Sequence, residues 1–259
     1  MKMNFVVELH TDVGIKKTTN QDSMCIKEAR TDNGTVFLAV ICDGMGGLEK
    51  GEVASATVIH AFSNWFEQEL PYALSKKEYI EEVRYRWERI IKEQNQNIAD
   101  YGRKSRIQLG STITALLFFE DGRYLIGHVG DSRAYRITNE NINILTEDQT
   151  VVAKEVRQGE ITPEQAECDP RRNVLLQCIG ASRIVEPDFI VGQYEVNECY
   201  MLCSDGFRHV VSPNEIKEAF SPVNNTDEKQ MKQNIIRMIE CNKEREETDN
   251  ISVILIKTI

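Results

Sequence analysis

The sequence predicts an α+β protein built on antiparallel strands, and three observations carry that expectation. Apolar runs of matched length are joined by short turn sequences, two long stretches repeat apolar residues at helical spacing, and several strands run directly into carboxylates. The clearest strand ends are Leu38 to Cys42 before Asp43-Gly44, and Cys199 to Cys203 before Ser204-Asp205-Gly206, with Asp249 opening the last strand.

Taken in order, Ser23 to Arg30 and Thr35 to Cys42 are equal runs joined by Thr31-Asp32-Asn33-Gly34, a hairpin signal that sets Asp22 opposite Asp43. Met45-Gly46-Gly47 holds too many small residues for a tight turn alone. Gly51 to Glu69 then reads as a helix through Val53, Ala54, Thr57, Val58, Ala61, Phe62, Trp65 and Phe66. Ser75 to Arg103 is highly charged, yet Tyr79, Ile80, Val83, Trp87, Ile90, Ile91, Gln94 and Ile98 fall at helical spacing, so a long amphipathic helix packed on a sheet is expected. Thr112 to Phe119 and Arg123 to Val129 make a second hairpin, which assigns Asp121-Gly122 to a plain turn with no metal. Within 151–180, Ala153 to Gln158 reads as a short helix, Thr162-Pro163 as the capped start of another, and Arg171-Arg172-Asn173 as a basic turn. If the strand ending at Asp205 pairs antiparallel with Ile251 to Ile256, Asp249 approaches Asp205.

Gathered carboxylates repel one another unless cations neutralise them, and oxygen-only ligands suit Mg or Mn better than zinc. Asp-Gly is also the commonest short turn signal, so each step taken singly reads first as a turn and only second as a ligand. The pattern as a whole points to a multi-metal carboxylate site.

At this point the sequence resembles the metal-dependent protein phosphatases of the 2C type, the PPM family, almost end to end. The matching motifs are Asn20-Gln21-Asp22, Asp43-Gly44-Met45-Gly46-Gly47 with Gly51-Glu52-Val53-Ala54-Ser55, Gly110-Ser111-Thr112, and Gly130-Asp131-Ser132-Arg133-Ala134-Tyr135. Leu145-Thr146-Glu147-Asp148, Arg172-Asn173 before Ile179-Gly180, Ser204-Asp205-Gly206 and Asp249-Asn250 complete the series, and the Asp-Gly-Met-Gly-Gly form resembles bacterial members.

The resemblance implies a four-layer α-β-β-α sandwich of two antiparallel sheets flanked by helices, with a dinuclear metal centre at one end. It implies Asp43, Asp205 and Asp249 as ligands of one Mn or Mg ion, and Asp43 with the Gly44 carbonyl as ligands of a second. Asp22 would hold metal-bound water, and Asp131 with Asp205 would bind a third, weaker ion, although Asp131 also reads as a turn residue between Leu125 to Val129 and Arg133 to Ile137. Metals sharing Asp43 would lower the pKa of a bridging water, giving hydroxide for in-line attack on phosphorus without a phosphoenzyme. A cation beside them would meet the phosphate charge, and Lys17 stands where the family has Arg. An ammonium is a point charge and not a two-pronged fork, so weaker phosphate binding is expected, and Lys16 with Lys17 also reads as an ordinary solvated pair.

Other positions depart from the family. Leu48, Gln149 and Asp169 stand where many bacterial members have His, and Met45 stands where the eukaryotic branch has a His that protonates the leaving group. Water or another group would have to serve here. None of His10, His60, His128 and His209 is assigned a catalytic part, and His128 is expected to be structural. The resemblance makes residues 151–180 the flap over the active site, where Arg171 and Arg172 read either as phosphoprotein contacts or as charges balanced by Glu164, Glu167 and Asp169.

Composition bounds the remaining classes. The 259 residues are 41% hydrophobic without a Pro/Gly/Ser-rich linker, so one catalytic domain spanning 1–259 is expected. Cys25, Cys42, Cys168, Cys178, Cys199, Cys203 and Cys241 form an odd set without CxxC pairs, which fits reduced thiols and a cytoplasmic home. No stretch approaches the ~20 apolar residues of a membrane span, and the start lacks a signal-peptide core. A net charge of -10 argues against nucleic acid as partner. The expected function is a monomeric phosphatase acting on phosphoserine and phosphothreonine proteins, opposing a bacterial kinase. The alternatives are a catalytically silent pseudophosphatase serving as a binding module, and hydrolysis of a small phosphorylated molecule by the same centre.

Overall fold

The computed structural model describes residues 4–31, 34–46 and 50–259. Among these, the chain begins with β1 (Phe5–Asp12), β2 (Ser23–Thr31), β3 (Gly34–Cys42) and a short β4 (Gly44–Gly46). Three helices follow, α1 (Gly51–Gln68), α2 (Leu70–Leu74) and α3 (Tyr79–Ser105), and then β5 (Leu109–Ser111), β6 (Ile113–Phe119), β7 (Arg123–Val129), β8 (Arg133–Ile137) and β9 (Ile142–Ile144). Next come α4 (Val151–Arg157), α5 (Pro163–Cys168), β10 (Asp188–Gln193) and β11 (Cys199–Cys203). The chain closes with α6 (Asp205–Arg208), α7 (Pro213–Phe220), α8 (Glu228–Glu244) and β12 (Ile251–Thr258).

The strands form two five-stranded antiparallel sheets, ordered β1-β12-β11-β8-β9 and β10-β7-β6-β3-β2. Alternation along β3 shows how they stack. Phe37, Ala39 and Ile41 meet Tyr200, Leu202, Ile254 and Ile256 of the other sheet, while Val36, Leu38, Val40 and Cys42 pack under α1 and α3. A strand buried on both faces has no solvent side, so its sequence is a continuous apolar run. The first sheet repeats the arrangement, with Met201, Cys203, Val253 and Leu255 facing Ile216, Phe220, Ile235 and Ile239 of α7 and α8. The layers are therefore helix, sheet, sheet, helix, as the resemblance implied.

The first hairpin keeps the expected register, Ser23 opposite Cys42 and Thr31 opposite Gly34, although Asp32 and Asn33 of its turn, like Gly47 and Leu48, lie outside the described residues. Asp121 occupies the β6–β7 turn, where its carboxylate accepts from Arg123 and from the Tyr79 hydroxyl. The stretch 75–103 forms one long helix as expected, preceded by a short helix that the sequence reading did not separate. Pro71 opens α2, Ser75 caps it, and α3 starts only at Tyr79, with Trp87 stacked edge-on to Trp65 at 5.5 Å in the core. Thr162 caps α5 through a capping box with Gln165. The turn reading of Asp131 takes a different form, because β7 and β8 belong to different sheets and do not pair. The chain crosses from one sheet to the other at Asp131. All seven cysteines are free. No helix among the described residues is long and apolar enough to cross a membrane.

Candidate metal centre

Five carboxylates from both sheets meet at one edge of the sandwich. Asp22 precedes β2 and Asp43 follows β3, and the Ser23–Cys42 pairing sets them side by side. Asp205 follows β11 and Asp249 precedes β12, and the antiparallel pairing of Cys203 with Val253 brings those two ends together. At Gly206 an added Cβ would stand 3.2 Å from the Cβ of Asp249 and 2.3 Å from the Asn250 carbonyl oxygen, so only a missing side chain lets the two carboxylate-bearing segments approach this closely.

The charge of one member is felt by the rest. Burial pushes the Asp43 carboxyl well above the usual range, and Asp22, Asp205, Asp131 and Asp249 push it further. Burial likewise pushes Asp22 and Asp131 up to about 7, with the charge of Asp205 adding to both. Asp22 Oδ2 and Asp205 Oδ1 are buried without a hydrogen-bond partner. A buried carboxylate oxygen with no donor is costly, and a hard cation is the group that an all-oxygen set of this kind satisfies. Among the described residues no three His, Cys, Asp or Glu side chains already form a tight coordination shell. The fit to divalent ions rests on the unpartnered oxygens and on the chemistry of the donors.

Several residues hold this edge in shape. Thr112 clamps the Asp43 peptide from both sides, its amide donating to the Asp43 carbonyl at 2.8 Å and its hydroxyl accepting from the Asp43 amide at 2.9 Å. Gly44 pairs with Ser111 and donates to the Gln21 carbonyl at 3.1 Å. A Cβ at Gly44 would lie 2.3 Å from the Gly51 carbonyl oxygen, so α1 begins hard against this turn. Asn250 accepts from the Gln21 amide at 2.9 Å and donates to the carbonyls of Val13 and Thr19, which pins the loop carrying Lys17 to the start of β12. Lys17 itself lies 2.9 Å from Asp249 and stays partly open to solvent. Beneath Asp131, Arg133 grips Asp148 with two hydrogen bonds of 2.7 and 2.8 Å, and Arg208 joins Asp148 to the Asp131 carbonyl.

His128 uses both ring nitrogens on Thr114 and the Glu147 carbonyl, and burial lowers its pKa, so it is a neutral structural residue as expected. Arg171 turns to Glu155 and Asp169, not outward alone. The sequence reading passed over Thr112 and Asn250 as mere motif members. It also gave no part to His209, which lies 3.3 Å from Asp205 and 3.4 Å from Glu247. Asn250 and His209 stand near Asp249 and Asp205 in sequence, whereas Thr112 has no carboxylate close to it in the chain.

The model of the protein phosphatase 2C family matches residues 14–250. The chain belongs to that family. Serine/threonine phosphatase stp of Listeria monocytogenes is 34% identical over 215 residues, covering 79% of this chain and 82% of its own length. Serine/threonine phosphatase Stp1 from Staphylococcus aureus has a similar structure, with a TM-score of 0.83, 30% identity, and coverage of 97% of this chain and 94% of that one. The catalytic domain of the serine threonine protein phosphatase PstP, solved in complex with 2 manganese ions, superposes with a TM-score of 0.79 at 26% identity over 100% of both chains. The phosphatase 2C fold here thus carries its carboxylates where two sheets end together.

Proposed function

We infer that this chain is a metal-dependent serine/threonine protein phosphatase, hydrolysing phosphoserine and phosphothreonine esters by direct attack of water. The observation that carries the reading is the convergence of Asp22, Asp43, Asp131, Asp205 and Asp249 on one edge, with two of their oxygens buried and unpartnered. Membership of the family and likeness to serine/threonine phosphatases support the substrate class.

We assign Asp43, Asp205 and Asp249 to one divalent cation, Asp43 and the Gly44 carbonyl to a second, and Asp131 with Asp205 to a weaker third. When bound, Mn or Mg at such a site acidifies water and screens the charge of the phosphoryl group. Asp22 orients the attacking water through Oδ2. Thr112 keeps the Asp43 peptide from rotating, so that the carboxylate meets the substrate already aimed. Lys17 places its ammonium beside Asp249, where the phosphate oxygens gain charge in the transition state. Met45 holds no proton to give, so solvent water protonates the leaving alkoxide. Residues 151–180 act as a flap, a role supported by the pairing of Ile179 with Ser111, itself paired to Gly44. The chain works as one domain, as a cytoplasmic monomer whose substrates include a bacterial kinase or its targets.

The experiment is steady-state hydrolysis of a phosphothreonine peptide with Mn, with Mg and with EDTA, using Asp205→Asn as control. Metal-dependent turnover lost in the variant is expected. Metal binding without turnover would make the chain a silent binding module, and preference for small phosphomonoesters over the peptide would change the substrate class.

A further inference from the structure

Glu247 and His209 lie outside the assigned ligands, yet they join two of them. Glu247 Oε1 accepts from the amides of Thr248 at 2.7 Å and Asp249 at 2.9 Å, which fixes the backbone that presents Asp249. Its other oxygen faces His209 Nδ1 at 3.4 Å, and His209 Nε2 lies 3.3 Å from Asp205 Oδ2. The side chains of His209, Asp205 and Glu247 are 13%, 9% and 6% exposed, so water does little to loosen the chain of contacts.

The backbone supports the same link. His209 donates its amide to the Asp205 carbonyl at 3.1 Å, and Asn242 of α8 donates to the Phe207 carbonyl at 3.0 Å, which holds α6 in place. His209 thereby occupies one oxygen of Asp205 and leaves Oδ1, the buried unpartnered one, as its free donor. A carboxylate held by one oxygen offers the other in a fixed direction.

We propose that His209 and Glu247 are positioning residues that clip Asp205 to Asp249 and set how far apart the two carboxylates stand. The proposal rests on the reading of Asp205 and Asp249 as metal ligands. Asp205 sits at the start of a four-residue helix and Asp249 two residues before β12. The β11–β12 pairing brings the two backbones together, and the Glu247–His209 bridge adds a constraint on how their carboxylates are presented, from outside the cation's own contacts.

The test is calorimetric titration of Mn into the full chain for the wild type, Asp205→Asn, His209→Gln, Glu247→Gln and the double variant, with melting temperatures taken in EDTA. Glutamine at 247 keeps an oxygen for the two amides, and glutamine at 209 reaches one neighbour but not both. Each single variant should bind Mn about tenfold to a hundredfold more weakly, the usual effect of losing a residue that orients a ligand. The double variant should lose little beyond the worse single one, because both changes open the same bridge. Unchanged Mn affinity in His209→Gln and Glu247→Gln, with affinity lost in Asp205→Asn, would overturn the clip and leave the metal reading standing. A lowered melting temperature alone would give the pair a structural part only and would equally overturn it. Wild-type Mn binding by Asp205→Asn would remove both readings. If one variant shows no melting transition in EDTA, the other decides.

Discussion

Lys17 Nζ lies 2.9 Å from Asp249 Oδ1, at the mouth of the carboxylate cluster and not buried within it. The pair is open to solvent on both sides, so it adds little to folding. Lys17→Ala should therefore leave the melting temperature nearly unchanged while raising KM for a phosphothreonine peptide about tenfold or more, the effect of losing one charge-assisted contact. Lys17→Arg should lower KM, because a guanidinium grips two oxygens. An unchanged KM in Lys17→Ala would remove it from the phosphate site.

Asp43 is the carboxylate most crowded by others, with burial and four neighbouring charges acting against its ionised form. Asp43→Asn should melt at the same temperature as the wild type or higher in EDTA, since a costly buried charge is gone. Saturating Mn should raise the wild-type melting temperature and not that of the variant. At a hundred times the dissociation constant the stabilisation is about 2.7 kcal/mol. Calorimetry with and without Mn reads both effects, and equal metal stabilisation of the two proteins would contradict the assignment.

Asp131 stands where the chain crosses between sheets, apart from the Asp43 pair in sequence but linked to Asp205 by charge. Asp131→Asn should lower the metal stoichiometry by one at high metal concentration while keeping tight binding at the other sites. Unchanged stoichiometry together with unchanged activity would take Asp131 out of the centre.

His128 is buried neutral, its pKa lowered by burial despite Asp148 and Asp188 nearby. Below about 6.5 the unfolded chain takes up a proton that the folded protein refuses, so acid favours unfolding, by at most about 1.4 kcal/mol for each pH unit. The wild type should be the more stable of the pair at pH 8, and its advantage over His128→Gln should shrink as pH falls to 5. A constant difference in melting temperature across that range would mean that His128 titrates as it does in the unfolded chain.

The carboxylate pairs were legible because hairpin register is set by matched runs and a short turn, so Asp22 against Asp43 follows from residues 23–42 alone. The β4–β5 ribbon was not, since strands of three residues rich in glycine carry no alternation to read. The short helix α2 was not legible either, because five residues are too few to show a helical period. Thr112 and Asn250 act through partners distant in sequence, as does the His209–Glu247 contact, and no local pattern announces such a contact.

The order of the strands also bears on when the enzyme comes alive. Among the described residues β12 is the last strand in sequence, yet it lies between β1, the first, and β11, and Asp249 stands just before it. A nascent chain on the ribosome can complete the Asp22–Asp43 hairpin early. On the assignment of Asp249 as a ligand, the metal centre is completed only when β12 has joined β1 and β11, so hydrolytic competence waits on the closure of that sheet.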